Sequence, residues 1–373
     1  MTRVGPPQHV AMVLEQTLGH VTHTRNLAAF APGAAAAAGL DLTLVPIPFE
    51  TGRWARLPGW SNWTVRAGVR TRRALRRLRR SAPPAALFVH TQVLATFLAA
   101  TMRRTPTVVS LDATPRQYDE LGEFYQHTPG PPVVERLKHR LHVRALRHAR
   151  RVVVWSAWAA DDLVARYAVN RALIDVIPPG VDLDRWGTDR SERSPERPLE
   201  VLFVGGDLPR KGGDVLIAAC ARVRERPGVP PFELHLVTGA AIDPVPGVTV
   251  HRGLTPNSAE LVARFQSADV FVLPTRGDCL PLVLAEAGAA GLPLVSTPVG
   301  AIPEIVVQGV TGELVEAGDV GALTDALERL LTDAELRATY GANARAVVAR
   351  DHDAAANAGR LINVISNALD ASS

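Results

Sequence analysis

Cysteine is scarce in this sequence, and long apolar runs are missing. Its two cysteines, Cys220 and Cys279, are too few for a disulfide framework and lack the spacing of zinc ligands. No apolar run approaches the roughly 20 residues that cross a bilayer, so no transmembrane helix is expected. The first residues also lack the basic-then-apolar pattern of a secretion signal. We therefore expect a protein of the reducing cytoplasm.

Lysine is scarce as well, because only Lys138 and Lys211 are lysines among the 41 lysines and arginines. The net charge of +4 is too small to demand a nucleic-acid partner, and none is expected. A composition of 47% hydrophobic and 21% charged residues is ordinary for a soluble globular protein. The length of 373 residues favours two domains.

Short apolar, β-branched runs recur along the chain, and a helix-like stretch follows each. Six lie in the first half, at 9–14, 42–47, 86–90, 107–111, 151–155 and 174–177. Six more lie in the second half, at 200–204, 233–237, 248–251, 270–273, 292–296 and 313–315. Apolar strands that alternate with helices are typical of parallel sheets covered on both faces. The pattern predicts an α/β protein of two doubly wound, Rossmann-like domains facing a central cleft.

The polar, proline-containing stretch GTDRSERSPERP at 187–198 is predicted to be a linker. The first domain would then be residues 1–186 and the second residues 199–350. Residues 351–373 would form a terminal helix that packs back on the first domain. Because ligands of open α/β sheets bind beyond the carboxyl ends of the strands, we expect the chemistry in strand-to-helix loops.

The stretch RGDCLPLVLAEAGAAGLP at 276–293 places one acid, Glu286, in an otherwise apolar helix. An unpaired buried carboxylate is costly, so either ligand hydroxyls or an internal arginine or backbone amides must partner it. Pro281 is predicted in the first helical turn, and Gly291 and Pro293 end the helix. The free N–H groups of the loop and of the helix N-terminus suit phosphate or sugar oxygens.

The stretch VLFVGGDLPRKGGDVLIAAC at 201–220 ends a strand at Gly205 and Gly206 and then presents Arg210 and Lys211 before a helix. Glycines allow close approach and the cations attract anions, so this is either a phosphate-binding turn or a solvated basic turn. The patterns GxxxxGK[ST] and GxGxxG are both absent, which argues against a P-loop and against a dinucleotide-dependent dehydrogenase.

Three further features are weaker indications of a functional site. Gly19 lies in a loop with His20 and His23, where it could cover a substrate or phosphates, although a plain polar loop is the alternative. His90 ends a predicted strand, where it could face the cleft or be structural. The D-x-D pattern at 182–184 could bind a metal, but it reads better as part of an interdomain connection, so we predict no metal site.

Taken together, three stretches resemble the family 4 glycosyltransferases of the GT-B fold: VVVWSAWAADDL…IDVIPPGVDLDRW, FVGGDLPRKGGDVLIAA and VLPTRGDCLPLVLAEAGAAGLPLVSTPVGAIPEIVVQGVTGELVEAGD. They lie in the family's order and spacing, and the resemblance as a whole extends over about residues 151–345. The first half resembles the family only in its layout and a few loops. The resemblance implies retaining transfer of a sugar from a nucleotide-diphosphate donor, without a metal or other cofactor. The acceptor would be a glycan, a lipid-linked molecule or a small molecule. UDP, GDP and ADP donors all remain open.

The resemblance also implies residue roles. The family's paired acids correspond to Asp278, usually a glutamate, and to Glu286, so Asp278 and its loop would hold the donor sugar and Glu286 the ribose. Arg210 and Lys211 resemble the diphosphate-binding pair, with Arg210 supplying the charge that the family usually carries at the position of Gly206. The other implied donor contacts are Gly19, Gly205, Leu254 and the backbone amides of Cys279, Leu280, Leu282 and Val283. His90 is the candidate for the family's histidine near the donor sugar.

The segment at 53–80 carries three tryptophans, Trp54, Trp60 and Trp63, before eight arginines between Arg66 and Arg80. This composition favours contact with an anionic membrane surface, and a protein peripheral at its inner face, while a solvated helix face is the alternative. Two other functions share the fold: a nucleotide-sugar epimerase, which needs no acceptor, and a non-catalytic nucleotide-sugar-binding protein.

Overall fold

A computed structural model describes residues 6–17, 19–49, 62–122, 124, 130–187 and 197–370. The chain divides into two compact units. The first comprises Met1–Glu120, Thr128–Gly180 and Ala354–Ser373, and the second comprises Leu121–His127 and Val181–Asp353. The predicted linker at 187–198 falls, apart from its ends, outside the described residues.

The first unit contains one parallel sheet of six strands in the order β2-β1-β3-β4-β5-β6. The strands are β1 (Gln8–Gln16), β2 (Leu40–Pro48), β3 (Ala86–His90), β4 (Thr107–Leu111), β5 (Arg151–Val154) and β6 (Ile174–Val176). Between β1 and β6 along the chain lie the helices α1 (His20–Ala37), α2 (Trp63–Ser81), α3 (Gln92–Ala95), α4 (Ala99–Met102), α5 (Pro115–Glu120), α6 (Pro132–Leu146) and α7 (Ala157–Tyr167). The Ser156 hydroxyl caps α7 by accepting from the Ala159 N–H at 3.1 Å.

The second unit contains another parallel six-stranded sheet, in the order β12-β11-β10-β7-β8-β9. Its strands are β7 (Leu199–Val204), β8 (Phe232–Val237), β9 (Val248–His251), β10 (Val270–Leu273), β11 (Leu294–Ser296) and β12 (Gly312–Leu314). Its helices are α8 (Leu183–Trp186), α9 (Gly213–Arg224), α10 (Ala259–Ser267), α11 (Leu282–Ala289), α12 (Val320–Thr332) and α13 (Ala334–Asp351). All twelve predicted strands are confirmed to within two residues at each end.

The last helix, α14 (Ala354–Asp370), belongs to the first unit. Its apolar side chains, among them Leu361 and Ile365, join Leu27 of α1 and Phe88 of β3 in one core. Val89, the next residue of β3, joins a second core on the other face of the sheet. Because successive side chains point to opposite faces and both faces are covered, the strands are apolar throughout rather than alternating.

The division at Gly180 differs from the predicted domain boundary at residue 186. Val181 pairs with Asp353 as an isolated bridge, and Trp186 packs edge-on against Phe265 with ring centroids 5.0 Å apart. Buried contacts therefore assign the segment that contains the D-x-D pattern to the second unit. Within the described ranges, no helix combines the length and the hydropathy needed to cross a bilayer.

Candidate active site

Two loops meet at the carboxyl ends of the neighbouring strands β7 and β10. The Arg276 N–H donates to the Arg210 carbonyl at 2.8 Å. Gly212 has a φ of +76°, and a Cβ there would lie 1.9 Å from the carbonyl oxygen of Pro274. The two backbones approach so closely that only glycine fits between them.

The contact between these loops brings together three of the predicted site residues. The Lys211 ammonium donates a hydrogen bond to Oδ2 of Asp278, and both side chains are largely buried. Nη1 of Arg210 donates to the Gly277 carbonyl at 2.8 Å and lies 3.9 Å from Oδ2 of Asp278. Nε of Arg210 also donates to Asp207 at 3.3 Å. Two cations and a nearly buried acid therefore form one charged cluster at this end of the sheet.

The glycine pair that follows β7 has two different environments. A Cβ on Gly205 would lie 3.0 Å from Cγ of Lys211, so the missing side chain lets the lysine stem lie against the strand end. A Cβ on Gly206 would meet nothing within 4 Å. Space for a side chain therefore exists at Gly206, although none is present.

Glu286 lies in α11 and is 6% exposed. Burial raises the pKa of its carboxyl from 4.5 to about 7. Within the described part of the chain, no hydrogen bond or ion pair reaches this carboxylate. The alternative that an internal arginine or backbone amides partner Glu286 is thus not supported among the described residues.

The loop that leads into α11 presents its backbone rather than its side chains. The side chains of Cys279, Leu280 and Leu282 are buried, at 4%, 5% and 8% exposure, and Val283 is half-buried. The first N–H groups of a helix have no acceptor within the helix, so they are available to a ligand. Pro281 is the N-cap of α11, with extended backbone, and not a residue of its first turn as predicted.

Gly300 and Ala301 contact the backbone of this loop. Gly300 has a φ of +59°, and a Cβ there would lie 2.3 Å from the Asp278 carbonyl oxygen. The Ala301 N–H donates to the Cys279 carbonyl at 2.8 Å. Leu254 is half-buried in the loop after β9, at the same carboxyl end of the sheet.

In the first unit, His90 ends β3 and is completely buried. Its Nε2 is 2.8 Å from Nδ1 of His20, its Nδ1 is 3.2 Å from the Ser110 hydroxyl, and its ring stacks on Trp155. Burial, followed by the charges of His20 and His23, lowers the pKa of His90 well below its usual range. His90 is therefore neutral near pH 7.

The residues around His90 lie in the segments that follow β1 and β4 along the chain. Nε2 of His20 lies 3.8 Å from Oδ2 of Asp112, which also accepts a hydrogen bond from the Tyr118 hydroxyl. Burial lowers the pKa of His23 to about 3. Gly19 is the N-cap of α1 and supplies no side-chain cap. The prediction that His20 and His23 lie in a loop is wrong, because α1 begins at His20 and includes both residues. The sequence also gave no indication that His20 would contact His90.

The D-x-D pattern has a structural role at its first acid. Oδ1 of Asp182 accepts from the Arg185 N–H at 3.1 Å and caps α8. Over the described ranges of the chain, no group of three histidine, cysteine or acidic side chains is arranged to hold a metal ion.

These features define a two-unit α/β protein whose second sheet carries cations, a buried carboxylate and free helix N–H groups at its carboxyl end. A family model described as Glycosyltransferase Family 4 matches residues 19–185, and one described as Glycosyl transferases group 1 matches residues 198–333. The chain belongs to the family 4, group 1 glycosyltransferases, as the sequence motifs predict.

Curated relatives are about one-third identical to this chain over the aligned residues. D-inositol 3-phosphate glycosyltransferase of Salinispora arenicola is 34% identical over 54% of this chain and 51% of its own length. GDP-mannose-dependent alpha-(1-6)-phosphatidylinositol monomannoside mannosyltransferase of Mycolicibacterium smegmatis is 35% identical over 49% of this chain and 55% of its own length. The chain thus spans about half the length of the curated relatives it matches.

The fold is similar to that of solved glycosyltransferases over nearly the whole chain. Sucrose-phosphate synthase of Thermosynechococcus elongatus aligns with a TM-score of 0.77 at 20% identity, covering 98% of this chain and all of that one. The predicted GT-B fold class is confirmed.

Proposed function

We propose that this protein transfers a sugar from a nucleotide-diphosphate donor to an acceptor, with retention of anomeric configuration and without a metal. The observation that carries this proposal lies at the carboxyl end of the second sheet. There a buried carboxylate without a described protein partner, Glu286, follows a loop whose acid, Asp278, is paired with Lys211. An unpartnered buried carboxylate is costly in the free protein and becomes favourable when ligand hydroxyls donate to it.

The diphosphate would be held by the cations and amides of the two loops. Lys211 and Arg210 lie where negative charge develops as the diphosphate leaves, and stabilisation of developing charge is the effective form of electrostatic catalysis. The N–H groups at the start of α11 add partial positive charge of the helix dipole. Together these groups supply positive charge at the leaving diphosphate, which is the role that a metal ion would otherwise fill. This supports the proposal that the reaction needs no metal.

The sugar and ribose would be held on either side of the diphosphate. Asp278 and the loop to Leu282 would bind the donor sugar, and Glu286 would accept from the ribose hydroxyls. The donor contacts that the sequence resemblance implies for Gly19 and His90 stay predictions. Because both ring nitrogens of His90 already have partners, a sugar that reached the ring would have to displace His20 or Ser110.

A turnover assay tests this function. The protein is incubated with UDP-, GDP- and ADP-sugars in EDTA, with and without acceptors, and products are followed by NMR, which also reports the anomeric configuration. The names of the two relatives make inositol phosphate and mannosylated phosphatidylinositol the first acceptors to try. Acceptor-dependent consumption of one donor supports transfer. Isomerisation of the donor without acceptor would instead identify an epimerase, and binding without turnover a non-catalytic protein.

We also propose that α2 contacts an anionic membrane surface. Arg73, Arg76, Arg77 and Arg80 are all exposed, and their spacing places them on one face of the helix. No acidic residue lies in α2 to neutralise them. The tryptophans at 54 and 60 lie outside the described residues, whereas Trp63 donates to Oε1 of Glu15 at 2.5 Å and faces the protein.

Liposome co-sedimentation at low salt tests the membrane contact. The four arginines are replaced together by glutamine, and the control replaces four exposed arginines of the second unit, Arg222, Arg226, Arg329 and Arg350. Wild type and control should pellet with anionic vesicles while the α2 variant stays in solution, because each basic residue contributes about 1 kcal/mol near such a surface. Wild-type protein that does not pellet would end this proposal and leave a solvated helix face.

A further inference from the structure

The side chain of Arg276 fastens the two loops of the second unit to each other. Its Nη1 and Nη2 donate to Oδ1 and Oδ2 of Asp214, each at 2.7 Å, which is the bidentate geometry of strong arginine–carboxylate pairs. Nη1 also donates to the Pro209 carbonyl. A single guanidinium therefore holds both ends of the segment from Pro209 to Asp214.

That segment contains the two predicted phosphate-binding cations. Arg210 and Lys211 lie between the two points that Arg276 holds, and Asp278, the partner of Lys211, is two residues beyond Arg276. The backbone N–H of Arg276 also donates to the Arg210 carbonyl at 2.8 Å. Arg276 therefore links the segment that carries Lys211 to the loop that carries Asp278.

We propose that Arg276 and Asp214 form a clamp that positions Lys211 and Asp278 for binding the donor diphosphate. The proposal rests on the proposed function, because it assumes that a diphosphate binds at this cluster. Arg276 and Asp214 act through other residues and are positioning residues. Long cationic side chains lose much rotamer freedom when ordered, so a loop held in place beforehand binds the diphosphate more tightly. Misplacement by about 1 Å at such a site is enough to cost up to a hundredfold in rate.

Replacing Asp214 tests the clamp, because a positioning role and its absence predict different directions of change in diphosphate affinity. Asp214 is half-exposed and carries a negative charge close to the phosphate-binding loop. If Asp214 had no positioning role, Asp214→Asn would remove a repulsive charge and leave diphosphate affinity unchanged or higher. The clamp predicts lower affinity, because asparagine cannot hold the guanidinium in bidentate geometry.

The experiment is calorimetric titration with a nucleoside diphosphate and the matching monophosphate, using the base that wild type binds. The proteins are wild type, Arg276→Ala, Asp214→Asn and the double variant. Arg226→Ala is the control, because Arg226 also bridges two acids, Asp325 and Glu328, away from the site. We expect each single variant to bind the diphosphate about tenfold more weakly and the monophosphate normally. The double variant should be no worse than either single variant, as expected for two residues that act as one unit.

Several outcomes would overturn the clamp. An equal loss for monophosphate and diphosphate would show general damage to the site. Weak diphosphate binding by Arg276→Ala with normal or tighter binding by Asp214→Asn would show that Arg276 binds phosphate directly. If Arg276→Ala does not fold, Asp214→Asn carries the test alone, since its side chain is half-exposed. Wild type that binds no nucleotide would count against the proposed function itself, whereas unaltered variants beside a binding wild type would count only against the clamp.

Discussion

The ammonium group of Lys211 donates a hydrogen bond to Oδ2 of Asp278, across 67 residues of sequence. This contact joins the loop after β7 to the loop after β10 and leaves both charges largely buried. Burial strengthens the pairing and also keeps the lysine in a fixed place. One of only two lysines in the chain is thus held beside the residue predicted to bind the donor sugar.

Replacing Lys211 by alanine should lower turnover by about tenfold to a hundredfold, because one charge-assisted hydrogen bond contributes about 1.5–3 kcal/mol. Steady-state kinetics at saturating and at limiting donor measure the effect. Arg226→Ala, which removes an exposed cation remote from the loops, is the control and should behave as wild type. Wild-type-like kinetics in Lys211→Ala at both donor concentrations would remove Lys211 from the mechanism.

Replacing Glu286 by glutamine should move stability and affinity in opposite directions. The folded pKa of about 7 lies above the ordinary value of 4.5, so the carboxyl favours folding at low pH and this contribution is lost as pH rises towards 7. The neutral isostere should therefore raise the free energy of unfolding at pH 8, by up to about 3 kcal/mol, and by much less at pH 5. Nucleotide affinity at pH 8 should fall, because the ribose loses a charged acceptor.

Thermal unfolding at the two pH values and calorimetry on the same variant check both halves of this prediction. Lower stability of Glu286→Gln at pH 8 would mean that the carboxylate has a protein partner. Unchanged affinity would mean that the ribose binds elsewhere.

Replacing Gly212 by alanine should destabilise the protein by about 2–4 kcal/mol, because it adds both backbone strain and a clash with the Pro274 carbonyl. Two matched glycines separate these causes. Gly228 has a φ of +83° with open space around its Cβ position, so alanine there should cost only about 1–2 kcal/mol. Gly206, with open space and an ordinary φ, should tolerate alanine. Similar unfolding temperatures for all three variants would contradict the close approach of the loops.

Replacing His23 by asparagine should reduce the acid sensitivity of the protein. The folded pKa of about 3 lies below the ordinary 6.5, so His23 contributes stability above pH 6.5 that is lost as pH falls towards 3. Between pH 7 and pH 5 the wild type should lose about 2 kcal/mol more than the variant. Urea unfolding at both pH values measures this difference. An equal loss in the two proteins would show that His23 is not held neutral.

The sheets and the site loops could be predicted because their causes are local. An apolar run such as VLFV or VFVL indicates a buried parallel strand wherever it occurs, and its carboxyl end fixes where a loop must begin. Arg210 and Lys211 were predicted as a possible phosphate-binding turn from such a loop, and the family resemblance implied a site role for Asp278. The structure brings the three residues together. The sequence also predicted that Asp278 lies in a loop and that Glu286 lies in the helix that follows it.

The pairings between distant side chains could not be predicted in the same way. Arg276 meets Asp214 across 62 residues and His20 meets His90 across 70, and no local pattern encodes either contact. These pairs depend on strand order and on how two loops pack, which a single sequence does not reveal. Likewise, the segment from Val181 to Trp186 follows the first sheet in sequence but is buried in the second unit through Trp186.

Calorimetric titration of the wild type with UDP, GDP and ADP in EDTA, repeated on Glu286→Ala, tests the central claim most directly. The donor site proposed in the second unit predicts that one nucleotide binds selectively without metal and that the variant loses this binding. A folded wild type that binds none of the three nucleotides would contradict the account.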